Sequence, residues 1–215
     1  MPVNAVTNSA SPDPSERSTV EETQRVDGRR LRGERTRARV LDALLALVEE
    51  GELHPTAQAV ATRAGVALRT VYHHFEDVEA LRGMALHVQL ERHRENLLPV
   101  AGELPLRDRI SHVVNQVQKF FEAITPIRRA TLFDETDAFE TSSDVAQGIS
   151  MRRAFVEESF RAELDGSTSK RELLDAIDVT TSWHNWYYLR QNLGRSVNAA
   201  EGIVEIQLRT LLDAA

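Results

Sequence analysis

Apolar residues along this chain recur at spacings of three and four, and no stretch alternates strictly. That period places side chains on one face of an α-helix, so the pattern predicts an all-α fold. A first stripe of Val40, Leu41, Leu44, Leu45 and Val48 predicts a helix over 34–50, ended by Gly51. Thr56 is placed to cap a short helix carrying Ala57, Val60 and Ala61, and Gly65 is placed to end it. A two-turn helix over 68–74 follows. Residues 77–98 then read as one long helix stopped by Pro99, with Val78, Leu81, Ala85 and Val88 inward.

The later elements follow the same rule. Residues 105–124 start on Pro105 and carry Ile110, Val113, Val114, Val117, Phe121 and Ile124 on one stripe. Pro126 is expected to break that helix, leaving a short piece through Phe133. Residues 142–165 form the next, with Ser142 or Ser143 as cap and Gly166 after it. Another covers 169–192, holds the cluster from Trp183 to Leu189, and ends at Gly194. Ser196 caps a last helix bearing Ile203, Val204, Leu208, Leu211 and Leu212.

The stretch over 56–75 carries the chemistry. A helix over 68–74 is too short to stand alone in water, because nucleation is costly and few bonds repay it. Its neighbours must hold it. Its outer side chains, Arg69, Thr70, Tyr72, His73 and His74, suit phosphates and base edges rather than a core. Two short helices with a tight turn between them make a helix-turn-helix, whose second helix enters the major groove of DNA. Thr70 and His73 are candidates for base edges, and Arg69 suits either role. Val71 and Phe75 point inward.

The run Gly65-Val66-Ala67-Leu68-Arg69-Thr70-Val71-Tyr72-His73-His74-Phe75 resembles the recognition segment of the tetracycline-repressor (TetR) family, with its Gly-Val-Ser … Thr-Leu-Tyr-x-His-Phe signature. The resemblance covers roughly residues 34–82, and the rest matches in helical layout. It implies phosphate contacts for Tyr72 and His74, a C-terminal four-helix dimer interface and an effector pocket in the body. Two positions depart from it. Ala67 replaces the family's usual Ser at the start of the recognition helix, a missing cap that costs about 1 kcal/mol. Val78 replaces a common Lys, removing one expected phosphate contact.

Charge refines this picture. The net charge is −7, yet residues 29–75 hold eight Arg against five acids. The balance is negative on both sides of that segment. A basic head on an acidic body docks on phosphate without wrapping DNA non-specifically. The arm over 28–37 joins the head, with Arg29, Arg30 and Arg32 expected to lack acidic partners. Arg35, Arg37 and Arg39 at the start of the first predicted helix oppose its dipole, which suggests phosphate as their partner. Arg30, Arg32, Arg35 and Thr56 complete the candidate DNA-binding set. Residues 1–28, with three Pro and no hydrophobic period, are expected to be disordered. The expected division is therefore 1–28 tail, 29–77 DNA-binding head, and 78–215 effector-binding and dimerisation body.

The sequence contains no Cys, no apolar run long enough to span a bilayer and no apolar N-terminal leader, so a cytoplasmic protein is expected. The last two predicted helices are apolar on more than one face, which predicts a homodimer reading a palindromic operator. His112, Gln116, Phe120, Met151, Phe155, Trp183, His184 and Tyr187 mix aromatic and polar groups, as a small-molecule effector pocket does. Packing of the core explains the aromatics equally well. No helical metal pair, phosphate loop or nucleophile elbow occurs, so neither a cofactor nor catalysis is expected. Asp134, Glu135, Asp137 and Glu140 read as a solvated acidic loop. The expected function is a transcriptional regulator, a repressor released by a small, partly apolar effector. The alternatives are an activator without ligand, a helical interaction protein answering to a peptide or protein, and a small helical enzyme.

Overall fold

The computed structural model of the chain describes residues 14–100, 103–131 and 143–213, with side chains from residue 28 onward except at 29, 143 and 144. Every regular element among these residues is helical. The order is α1 (Pro14–Glu49), α2 (Ala57–Ala64), α3 (Leu68–His74), α4 (Val78–His93), α5 (Leu106–Thr131), α6 (Ser143–Ser159), α7 (Arg161–Gly166), α8 (Lys170–Thr180), α9 (Trp183–Tyr187) and α10 (Val197–Asp213). A 3-10 turn, Arg94–Asn96, follows α4, and a π turn, Tyr188–Asn192, follows α9. One continuous apolar core runs from Val40 on α1 to Leu212 on α10. The long α5 lies at its centre, touching α1, α4, α6, α9 and α10. No helix among the described residues is long and apolar enough to cross a membrane.

Four boundaries differ from the sequence expectation, each for a visible reason. First, α1 begins at Pro14, so the expected disordered tail is helical from there, and residues 1–13 lie outside the described residues. Pro suits a first helical turn, since its fixed φ is already helical. The Ser, Glu, Arg and Gln that follow tolerate a helix without any apolar stripe. Arg35, Arg37 and Arg39 are therefore mid-helix, and the dipole argument for a phosphate partner falls away. Second, α5 runs through Pro126 to Thr131. Pro126 removes one bond of the ladder, but buried Ile124, Ile127 and Ala130 hold the turns on both sides. The Thr125 hydroxyl donates to the Phe121 carbonyl at 2.6 Å.

Third, the helix expected over 142–165 is interrupted at Phe160 (φ −118°, ψ 25°). The Ser159 carbonyl there accepts from Arg109 Nη1 at 2.9 Å instead of continuing the ladder. The capping role expected of Ser142 or Ser143 lies outside the described side chains. Fourth, the helix expected over 169–192 breaks at Thr181–Ser182. Ser182 turns extended and accepts from the Asn185 amide N–H at 3.2 Å. Side-chain donors reach the carbonyls at the end of α8: Thr181 Oγ1 for Ile177, which also accepts the Thr181 N–H, Arg152 Nη1 for Asp178 and Asn185 Nδ2 for Thr180. At the last boundary Ser196 Oγ does accept from the Ala199 N–H at 3.2 Å. The acidic cluster Asp134, Glu135, Asp137 and Glu140 lies outside the described residues.

Candidate nucleic-acid interface and effector cavity

α2, α3 and the end of α1 pack together through Val48, Ala57, Val60, Ala61, Val71 and Phe75, all buried. Thr56 Oγ1 accepts from the Ala59 N–H at 3.1 Å and so starts α2. Gly65 closes it at φ 63°, ψ 41°, a left-handed conformation that a residue with a Cβ enters only with strain. Glu50 at the end of α1 pairs with both guanidinium nitrogens of Arg63 on α2, one at 2.8 Å. Ala67 starts α3 without any side-chain cap. Thr56→Ala is expected to lower stability by about 1 kcal/mol. Urea denaturation should show a lower midpoint at unchanged slope.

With Val71 and Phe75 turned inward, α3 presents Arg69, Tyr72 and His73 to solvent, Tyr72 at 52% exposure. Thr70 and His74 are half-buried beside them. Burial holds the His74 pKa below the ordinary histidine value, and the nearby His73 and Arg37 push the same way. The shift favours the neutral imidazole. Arg37 lies over the Phe75 ring, 5.4 Å from its centroid. Arg32 and Arg35 on α1 are exposed. Arg30 is exposed too, but it has an acidic partner after all: its Nε meets Glu34 Oε1 at 3.1 Å, one turn away. An exposed pair of this kind contributes little to stability.

The body encloses a cavity of about 320 Å³ between α4, α5, α6 and the α8–α9 junction. Of the eight expected effector residues it gathers three, Phe120, Trp183 and His184. The other five are elsewhere. Gln116 accepts from the Leu98 N–H at 2.8 Å and bonds His112, so this pair fastens the loop between α4 and α5. Met151 borders a surface groove with Leu97 and Leu98. Phe155 is buried core. Tyr187 stacks on Trp183, centroids 4.7 Å apart, and borders a smaller cavity of about 210 Å³. That second space is lined by Glu122 and Arg190, with Val48 and Glu49 from the end of α1. Burial alone would raise the Glu122 pKa, but hydrogen bonds from Arg190 and Trp186 outweigh it and hold the group below its usual value.

Sequence reasoning missed the charged residues of the larger cavity: Arg128, Arg152 and Asp178. Arg128 lies over Trp183 at 4.3 Å from the ring centroid. Arg152 is 4% exposed. Its Nη1 donates to the Asp178 carbonyl at 2.8 Å and to Thr181 Oγ1 at 3.0 Å, and lies 2.9 Å from Asp178 Oδ1. A signal was available. Arg152 sits three residues from both Ile149 and Phe155, and Arg128 four from Ile124, each on an apolar stripe where a cation needs a reason. No model of a known protein family matches the chain, and no curated protein matches it.

Proposed function

We propose that this protein is a sequence-specific DNA-binding transcriptional regulator, a repressor of the tetracycline-repressor type released by a small effector. The observation that carries the reading is α3. A seven-residue helix is anchored by Val71 and Phe75 while Arg69, Tyr72 and His73 stand exposed. Such a helix contributes little to the core, and its outward groups suit the major groove. The local excess of positive charge over 29–75 supports the same role. α2 to α3 then acts as a helix-turn-helix, with Thr70 and His73 reading bases and Tyr72 and His74 contacting phosphate. Val179 on α8 and Ile206 on α10 are 67% and 61% exposed, apolar groups that a second copy of the chain would cover. A homodimer presents two recognition helices about 34–36 Å apart, matching successive turns of a palindrome. The effector occupies the larger cavity and favours a conformation whose two heads no longer fit adjacent half-sites.

Fluorescence anisotropy on DNA from upstream of the gene, across a salt series, tests this. Saturable binding with a steep negative log–log salt slope is expected. Affinity no better than for unrelated DNA, there and in a genome-wide selection of bound fragments, would sink the reading. Arg69→Ala separates two roles for that residue. If Arg69 binds phosphate, the substitution lowers the salt slope by about one. If it reads a base, the substitution costs about 1–3 kcal/mol and relaxes specificity at one position.

A further inference from the structure

We propose that the larger cavity takes a small apolar acid, its anionic head held on the free edge of Arg152 beside Arg128 and its body against the aromatic and aliphatic wall. This rests on the reading of that cavity as the effector site and adds the chemical class of the effector.

Arg152 carries the argument. A guanidinium offers five N–H donors in a planar fork that matches the two oxygens of a carboxylate. Here all its hydrogen bonds to described residues leave from Nη1. Nε and Nη2 make none to those residues, and both keep some accessible surface on a residue that lines the cavity. Those two nitrogens form one edge of the fork, the edge that takes a carboxylate side-on through two parallel bonds. Asp178 does not fill that role. Its Oδ1 lies 2.9 Å from Nη1, the nitrogen on the other side of the fork.

The surroundings fit an anion with an apolar body. The charged side chains among the described residues that line the cavity are Arg128, Arg152 and Asp178. Most of the remainder is hydrocarbon or aromatic, including Leu86, Leu90, Phe120 and Ile124. Charge-assisted bonds in such a site are about twice as strong as neutral ones. The volume of about 320 Å³ lies at the small end of the range for ligand sites, which sets the size of the molecule. Gly148 on α6 supplies a control, because a Cβ there would meet only Leu90, at 3.4 Å, and a larger side chain would grow into the space.

Calorimetric titration of the full chain, without DNA, tests the assignment with 1-naphthylacetate and octanoate, each beside its uncharged amide. At least one acid is expected to bind tenfold or more tightly than its amide. Arg152→Lys keeps a charge but not the fork and should reduce that ratio. Arg152→Met should bring it within twofold. Gly148→Leu should abolish binding of acid and amide alike. Because Arg152 also ties α6 to α8, the acid–amide ratio of the unaltered protein stands as the primary readout if Arg152→Met fails to fold. Equal binding of acid and amide, abolished in Gly148→Leu, would overturn the acid preference and leave the cavity as an effector site. Preference for the acid that Gly148→Leu leaves untouched would place the anion elsewhere and overturn the proposal. Binding of no probe at millimolar concentration would overturn both the acid preference and the effector cavity. None of these outcomes depends on DNA binding, which anisotropy measures separately.

Discussion

Replacing Arg109 by Met is expected to cost the fold about 3 kcal/mol, read from the urea midpoint of the two proteins. Arg109 stands at the start of α5 with a side chain only 5% exposed, and its partner Glu163 on α7 is 17% exposed. Its Nε donates to the Leu104 carbonyl at 3.0 Å, and Nη1 donates to Ser159 O at 2.9 Å and to Glu163 Oε2 at 2.8 Å. One side chain thus joins the entry to α5, the end of α6 and α7. Met fills similar volume but leaves a carboxylate and two carbonyls without their donor. Breaking one side of a buried ion pair costs about 3–5 kcal/mol. The lower end applies here because Glu163 keeps some exposure to water. Arg109→Met combined with Glu163→Leu should recover most of the loss, since replacing both charges by apolar groups is often neutral.

The same pair predicts a pH dependence. The hydrogen bond from Arg109 holds the Glu163 carboxyl below its ordinary pKa of 4.5, outweighing the opposing effect of burial. The unfolded chain therefore takes up this proton at a higher pH than the folded one. The contribution of the pair is complete above the unfolded value. It is lost as pH falls from about 4.5 through the folded value. Arg109→Met should remove this share of the acid-limb slope while Glu50, Glu122 and Asp165, also depressed, keep theirs.

What could be read in the sequence depended on whether its signal was local. Thr56, Gly65 and the inward Val71 and Phe75 each act within one or two turns, and the boundaries of α2 and α3 follow from them. The break at Phe160 could not be read the same way. Val156, Phe160 and Leu164 continue the apolar spacing across it, and the residue that diverts the Ser159 carbonyl lies fifty positions earlier. Pro126 failed in the opposite sense, because a strong local breaker was overruled by burial on both sides. The break before α9 was half legible. Val179-Thr180-Thr181 is a β-branched run that a helix holds poorly, and Ser182 is a natural cap. For the cavity, aromatic content led to Phe120 and Trp183 but also to Phe155, which is core. Aromatics serve both uses, whereas a cation on an inward stripe is costly and so more telling.

Phe120 and Phe160 separate packing from function. Both are fully buried, but only Phe120 lines the larger cavity. Truncating either to Ala should cost about 3–5 kcal/mol, from the lost transfer of the ring and the void left behind. The two should then differ when a small apolar molecule is supplied. Phe120→Ala extends a cavity that is already present, and an apolar void binds compact hydrocarbons. Indole at about ten times its dissociation constant would return about 1.4 kcal/mol to Phe120→Ala. Phe160→Ala should gain less, because Phe160 does not line the cavity and its void has no existing space to extend. Thermal melts with and without indole check both. Equal gains in the two variants would mean that the existing cavity gives Phe120→Ala no advantage, and no gain in Phe120→Ala would mean that the helices collapse into the void. The difference follows from position alone, since the two side chains are identical and equally sheltered from water.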